Sequence, residues 1–296
     1  MTQQPLFEDQ PVEPDRVKAR PDHSPLAYLT GRQQLWGRRR GVRLQGSAVE
    51  RGEPLYCPSL AENLFLGGLT PGARREYEAA DGHELGSKMR ALHSSSAAVD
   101  YWRSVGDFDP ALRALKLPTG SSSVTFEARL PISSRFATAP NVDLLVTYPS
   151  APAVVLESKF GEPFGREHGG FSAKYLGVPS VWSDLPNLRK LAEQITGGVD
   201  PSYAYVHAGQ LIKHTLGATA AVGRGRGRFV LVYFYHAVRG EAGAEHEREV
   251  RDIAADHGSD GVPFKAVSHQ SYVLRLGEAE RDRHPAFVDW IAERYL

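Results

Sequence analysis

The sequence predicts an α/β protein built on one mixed β-sheet flanked by helices. Three observations carry this reading. Segments 123–132, 141–148 and 153–160 are rich in β-branched and large apolar residues and are separated only by Pro/Ser/Gly-containing loops, which is the pattern of successive strands. The run FVLVYFYH at 229–236 is continuously apolar, as a strand covered on both faces must be. Between and after these strands lie segments whose apolar residues recur at helical spacing.

Taken in order, residues 1–24 hold four Pro and mixed charges and read as a mobile tail. Residues 25–84 read as a basic extension packed on the core. Within it, 32–51 carries six Arg against one Glu, which is either a solvated surface or a phosphate-contacting arm. Residues 59–84 show no clean period. Leu85, Met89, Leu92, Ala97, Val99 and Trp102 fit a helix or helix pair, with Gly106 beyond its end. The three strands follow. Segment 183–198 then places Leu188, Leu191, Ala192 and Ile195 on one helical face. The next segment offers Asp200 as N-cap, Pro201 at the first helical position and Gly217 as its stop. After strand 229–236 come a charged helix near 243–256, a short strand at 264–268 and a C-terminal helix near 285–295. The order α-β-β-β-α-α-β-α-β-α assigns 85–296 to one domain.

Composition narrows the function. The 296 residues balance 35 Lys+Arg against 35 Asp+Glu, so bulk charge does not draw the chain to nucleic acid, and any such contact needs a local patch. The lone Cys57 rules out a disulfide framework and a cysteine zinc site. No apolar run approaches the ~18 residues of a membrane span, and the first residues lack the basic-then-apolar order of a secretory leader. The expected setting is cytoplasmic, with no membrane partner.

Four ionisable residues occupy strand positions where the pattern asks for apolar ones: Glu127, Asp143, Glu157 and Lys159. Buried unpaired charge costs several kcal/mol, so such residues need partners or a metal. Side chains alternate on a strand, so Glu157 and Lys159 share a face about 6–7 Å apart. A hairpin turning at residue 150 or 151 sets Asp143 opposite Glu157 or Lys159; a one-residue slip would turn it to the far face. Glu127 on the adjoining strand could join them. Convergent carboxylates suit Mg²⁺, whose chemistry activates water and steadies charge on a phosphate, and Lys159 would add a fixed positive charge. The competing reading is a plain ion pair between Lys159 and one acid, which leaves at least one carboxylate unexplained.

Asp143, a 13-residue gap and then Glu157-Ser158-Lys159 resembles the D…(D/E)-x-K signature of the PD-(D/E)XK nuclease superfamily. Here Asn141-Val142 precede the Asp, with Pro140 close by. The order helix, three strands, helix, strand over about 85–236 is similar to the α-β-β-β-α-β core of the restriction-endonuclease-like fold. HSSSAAVDYWR, FEARLP, NVDLLV and LESKFGEPF resemble a bacterial branch of that superfamily. The resemblance implies a nuclease hydrolysing DNA, taken as double-stranded, with Mg²⁺ or Mn²⁺. Asp143, Glu157 and Glu127 would ligate the metal, and Lys159 would activate the attack. Because cutting both strands often uses two sites, a homodimer is the expected assembly. The alternative is a non-catalytic nucleic-acid-binding or scaffold protein of the same fold.

Gln210 and His214 are four residues apart on a predicted helix, with Lys213 beside them. They resemble the Q-x-x-x-Y helix of some superfamily nucleases, with His in place of Tyr, and could lie behind the site or touch DNA. Arg224 and Arg226 in the Gly-Arg repeat could touch a DNA backbone, although the strand after them argues against a nucleotide loop. The eleven His show no H-E-x-x-H pattern. Ser94–Ser96 reads as a helix start, because no G-x-S-x-G turn surrounds it.

Overall fold

The computed structural model describes residues 24–46, 55–65, 69–79, 85, 88–95, 108–165, 170–196, 203–223 and 227–296. The tail up to residue 23, Arg51, residues 86–87 and 96–102 of the predicted helical stretch, Asp200, Pro201, Arg224 and Arg226 lie outside the described residues. The described part of that stretch corrects the helix expected there: Lys88–Arg90 form only a 3-10 turn, and Ala91 makes a β-bridge to Tyr56.

Five strands form one open mixed sheet: β1 (Ser123–Arg129), β2 (Asn141–Thr147), β3 (Ala153–Lys159), β4 (Phe229–Tyr235) and β5 (Phe264–Ser268), paired in that order. β1, β2 and β3 run antiparallel; β3, β4 and β5 run parallel. All five predicted strands are present, and their ends differ from the expected ones by no more than half a strand. β3 is buried along all but its last residue, which accounts for its unbroken apolar sequence up to Leu156.

Nine α-helices are present among the described residues: α1 (Pro25–Arg39), α2 (Leu60–Asn63), α3 (Pro71–Ala79), α4 (Asp109–Ala114), α5 (Pro186–Gln194), α6 (Ala208–Val222), α7 (Glu241–Ser259), α8 (His269–Glu280) and α9 (Pro285–Tyr295). The sheet separates two apolar clusters. On one face Phe126, Leu144, Leu156, Val232 and Phe234 meet Trp36 of α1, Leu112 of α4, Tyr272 of α8 and Trp290 of α9. On the other, Val155, Leu231, Tyr233 and Phe264 meet Leu188 of α5, Leu211 and Ile212 of α6, and Ile253 of α7. Leu29, Trp36, Cys57, Leu64 and Tyr77 from the N-terminal stretch belong to the first cluster.

Some elements differ from the sequence reading. The basic stretch begins as a helix, because Ser24 caps it and Leu29, Gln33, Trp36 and Gly37 recur at core spacing. Helices α4 and α8 are additions that the sequence pattern does not announce. Both ends of the helix expected from Pro201 to Gly217 are corrected. Residues 203–207 are not helical and α6 begins at Ala208 after His207. It runs on to Val222 and ends at Gly223, whose φ of 99° suits glycine. Gly217 serves packing instead. A Cβ there would lie 2.6 Å from the Leu130 carbonyl oxygen, so only glycine lets α6 approach the chain beyond β1.

Candidate active site

Strand register sets the backbone positions of the three acids in one row. β2 and β3 pair Leu145 with Val155 and Leu144 with Leu156, and one further step sets Asp143 opposite Glu157. β1 and β2 pair Phe126 with Leu144 and Ala128 with Val142, which brackets Glu127 opposite Asp143. Glu157 in turn pairs with Tyr233 of β4. Of the two registers the sequence allows, the turn about residue 150 is the one formed. Lys159 stands two residues further along β3, on the same face as Glu157.

Each group has defined contacts. Lys159 Nζ lies 2.6 Å from Glu157 Oε1, so the ion pair that the sequence allows is present. Gln210 of α6 donates from Nε2 to the same oxygen at 2.8 Å. His214, one turn on, brings Nδ1 to 3.3 Å from Glu157 Oε2, without hydrogen-bond geometry. Glu157 is 3 % exposed, so these groups replace water around a buried carboxylate. Asp143 is half-buried, and its Oδ2 accepts the backbone N–H of Ser158 at 2.6 Å.

The local field is negative around Asp143. Burial, then the charges of Glu157 and Glu127, raise its carboxyl well above the usual range, against the opposing pull of Lys159 and the Ser158 N–H. For Lys159, burial alone would favour the neutral amine; Glu157, Glu162 and Asp143 outweigh it and keep the ammonium protonated. Burial brings His214 down to about 4, so a neutral imidazole faces Glu157 at neutral pH. Lys213 is lowered by burial and by Lys174, while Glu157 acts the other way.

The positions of Gln210 and His214 depend on the turn leading into α6. The buried Glu249 of α7 accepts the backbone N–H groups of Ala204, Tyr205 and Val206 at 2.6, 2.9 and 2.8 Å. That carboxylate holds the 203–206 turn and so sets where α6 begins. Beyond β3, Glu162 accepts the Phe160 N–H at 2.7 Å and the Ser95 hydroxyl at 2.7 Å. Ser158 Oγ donates to the Ser95 carbonyl at 3.2 Å.

The structure thus gathers Asp143, Glu157, Lys159, Gln210 and His214, with Glu127 acting on Asp143 through its charge. Glu127 has a φ of 47°, which breaks strict strand alternation, so register alone does not carry its carboxylate to the others. Among the described residues no three His, Cys, Asp or Glu side chains form a group that could hold a metal ion. Asp143 and Glu157 are the two carboxylates that could contribute to a divalent-cation site. Mg²⁺ is held by one or two carboxylates, with water and phosphate oxygens completing the shell, and a cation there would relieve the repulsion that opposes Asp143 ionisation. Sequence reasoning misses Lys174 and the Ser95 link. Lys174 sits in an irregular stretch with no pattern to mark it, and Ser95 reads only as part of a helix start.

No family model, curated protein or solved structure matches the chain. Among the described residues no helix is long and apolar enough to cross a membrane.

Proposed function

We propose that the chain is a metal-dependent nuclease that hydrolyses DNA phosphodiester bonds, with a restriction-endonuclease-like arrangement of the PD-(D/E)XK kind. The observation that carries this reading is the position of Asp143 opposite Glu157, one step beyond the Leu144–Leu156 pair of β2 and β3, with Lys159 Nζ 2.6 Å from the Glu157 carboxylate. A structural ion pair needs one acid. Here a second, Asp143, is kept beside it at an electrostatic penalty, which favours a site over a scaffold.

Asp143 and Glu157 are the residues to hold Mg²⁺ or Mn²⁺, which when bound lowers the pKa of water and offsets charge on the scissile phosphate. The protein's own groups do the rest. Gln210 fixes the rotamer of Glu157 through Oε1, and the Ser158 N–H fixes Asp143 through Oδ2. Lys159 keeps a positive charge within reach of both carboxylates, where it steadies negative charge developing on the phosphate. Neutral His214 closes the inner side of Glu157 without neutralising it.

The non-catalytic reading draws on a different observation: Lys159 and Gln210 already satisfy Glu157 without a metal. The two readings separate when the protein is incubated with supercoiled plasmid, linear duplex, single-stranded DNA and RNA, each with Mg²⁺, Mn²⁺ or EDTA. Metal-dependent cleavage of DNA supports the nuclease. Cleavage of none, by protein that is folded, transfers the fold to the binding or scaffold reading.

A further inference from the structure

The first helix carries a feature that the acid row does not use. Leu29, Gln33, Trp36 and Gly37 face the core. Gln33 donates to the Arg294 carbonyl at 2.9 Å, Trp36 meets Trp290 edge-on at 5.7 Å, and Arg40 pairs with Glu293 at 2.8 Å. These contacts hold α1 firmly against α9. Its outer side presents Tyr28 and Leu35, 37 % and 48 % exposed, the two exposed large apolar residues among those described. Arg38, Arg39 and, just beyond the helix, Arg43 are exposed as well. The helix itself has no acidic residue.

Its start lies at the end of the strand that bears Glu157 and Lys159. Leu26 Cδ1 sits 3.0 Å from where a Cβ on Gly161 would be, two residues after Lys159. Burial lowers the His236 pKa, and the charge of nearby Arg32 adds a smaller lowering; the backbone N–H of His236 donates to the Lys159 carbonyl at 3.0 Å. A helix of 15 residues spans about 22 Å. The start of α1 therefore lies just beyond the C-terminal end of β3, on the sheet face opposite α6, and its basic side leads away from that end.

We propose that the outer side of α1, with Tyr28, Arg32, Arg38, Arg39 and Arg43, docks the phosphate backbone of duplex DNA and leads it to the acid row. The partner follows from charge and chemistry. Every basic residue from 32 to 43 is Arg, whose planar fork matches phosphate oxygens. An anionic membrane is the other polyanion to consider, but the apolar side of α1 is already spent on the core, and Tyr28 and Leu35 alone offer little to insert. This inference rests on the nuclease reading for its substrate, and the test separates the two.

Binding of a labelled duplex of about 20 base pairs, long enough to cover two helical turns, is measured in EDTA, so that no cleavage intervenes. The parent is compared with Arg32→Ala/Arg39→Ala/Arg43→Ala. Arg40 is left in place because it holds Glu293. The triple variant is expected to melt with the parent and bind at least about tenfold more weakly, its salt dependence reduced by roughly 0.9 for each phosphate that is no longer neutralised. Equal affinity and equal salt dependence would overturn the proposal. So would unchanged DNA binding with lost binding to phosphatidylserine vesicles. Cleavage by a parent whose triple variant binds normally removes the docking surface and leaves the nuclease reading intact. Arginine-dependent binding by a parent that cleaves nothing does the reverse.

Discussion

Lys159 Nζ lies 2.6 Å from Glu157 Oε1, two residues earlier on the same strand, and Glu157 is 3 % exposed. Removing one partner of a buried pair leaves the other charge uncompensated. Lys159→Ala should therefore destabilise the fold by about 3 kcal/mol, besides abolishing cleavage. Adding Glu157→Gln should recover much of that loss, since Gln keeps the contact with Gln210 without the charge. Urea unfolding of the two single variants and the double variant measures the coupling.

Asp143→Asn should separate stability from activity. The carboxyl is raised well above its ordinary value by burial, Glu157 and Glu127, so the ionised form opposes folding at neutral pH. Asn can still accept the Ser158 N–H. The variant should be more stable than the parent by about 1 kcal/mol, the scale set by a tenfold change in a proton's affinity, which is worth about 1.4 kcal/mol. Parent stability should also fall as pH rises from 3.8 through the higher folded value, and the variant should lack that fall. Chemical melts from acid to neutral pH check both.

Gly217→Ala should destabilise the protein by about 1–3 kcal/mol, because the new Cβ would meet the Leu130 oxygen at 2.6 Å. Relief requires α6 to move, and Gln210 and His214 move with it. Cleavage should fall more steeply than the loss of folded protein explains. Activity per folded molecule is the measurement.

Buried histidines set an acid limit. His257 is held at about 4 by burial, against the pull of the Ile253 carbonyl and Asp260, and its Nε2 is 3.0 Å from Thr215 Oγ1. Its folded pKa is depressed, so the unfolded chain takes up the proton first as pH falls below about 6.5. Stability is lost from there downward. His257→Gln should lose about 2 kcal/mol less than the parent between about pH 7.5 and about pH 5, because each proton contributes up to about 1.4 kcal/mol per pH unit. Denaturant midpoints at the two pH values decide it.

How much of the fold and site can be read from sequence follows from local physics. Strands β3 and β4 are buried on both faces, so composition alone marks them. Asp143, Glu157 and Lys159 stand out because charge interrupts the apolar sequences of β2 and β3. Their pairing needs only a hairpin centre. Helix α1 is hidden because its core side uses Gln33 and Gly37 beside Leu29 and Trp36, a mixed stripe that the surrounding arginines mask. Gly217 reads as a stop because sequence cannot reveal that the chain beyond β1 passes against α6. The threefold hold of Glu249 on residues 204–206 joins segments more than 40 positions apart, which no local pattern records.

The central claim is that Asp143, Glu157 and Lys159 together hydrolyse DNA with a divalent ion. The most direct measurement is the initial rate of duplex cleavage in Mg²⁺ by the parent, Asp143→Asn and Lys159→Ala, each confirmed folded. The account predicts cleavage by the parent that EDTA stops, and a fall of at least about 100-fold in both variants. Cleavage that persists at the parent rate in both variants would contradict it.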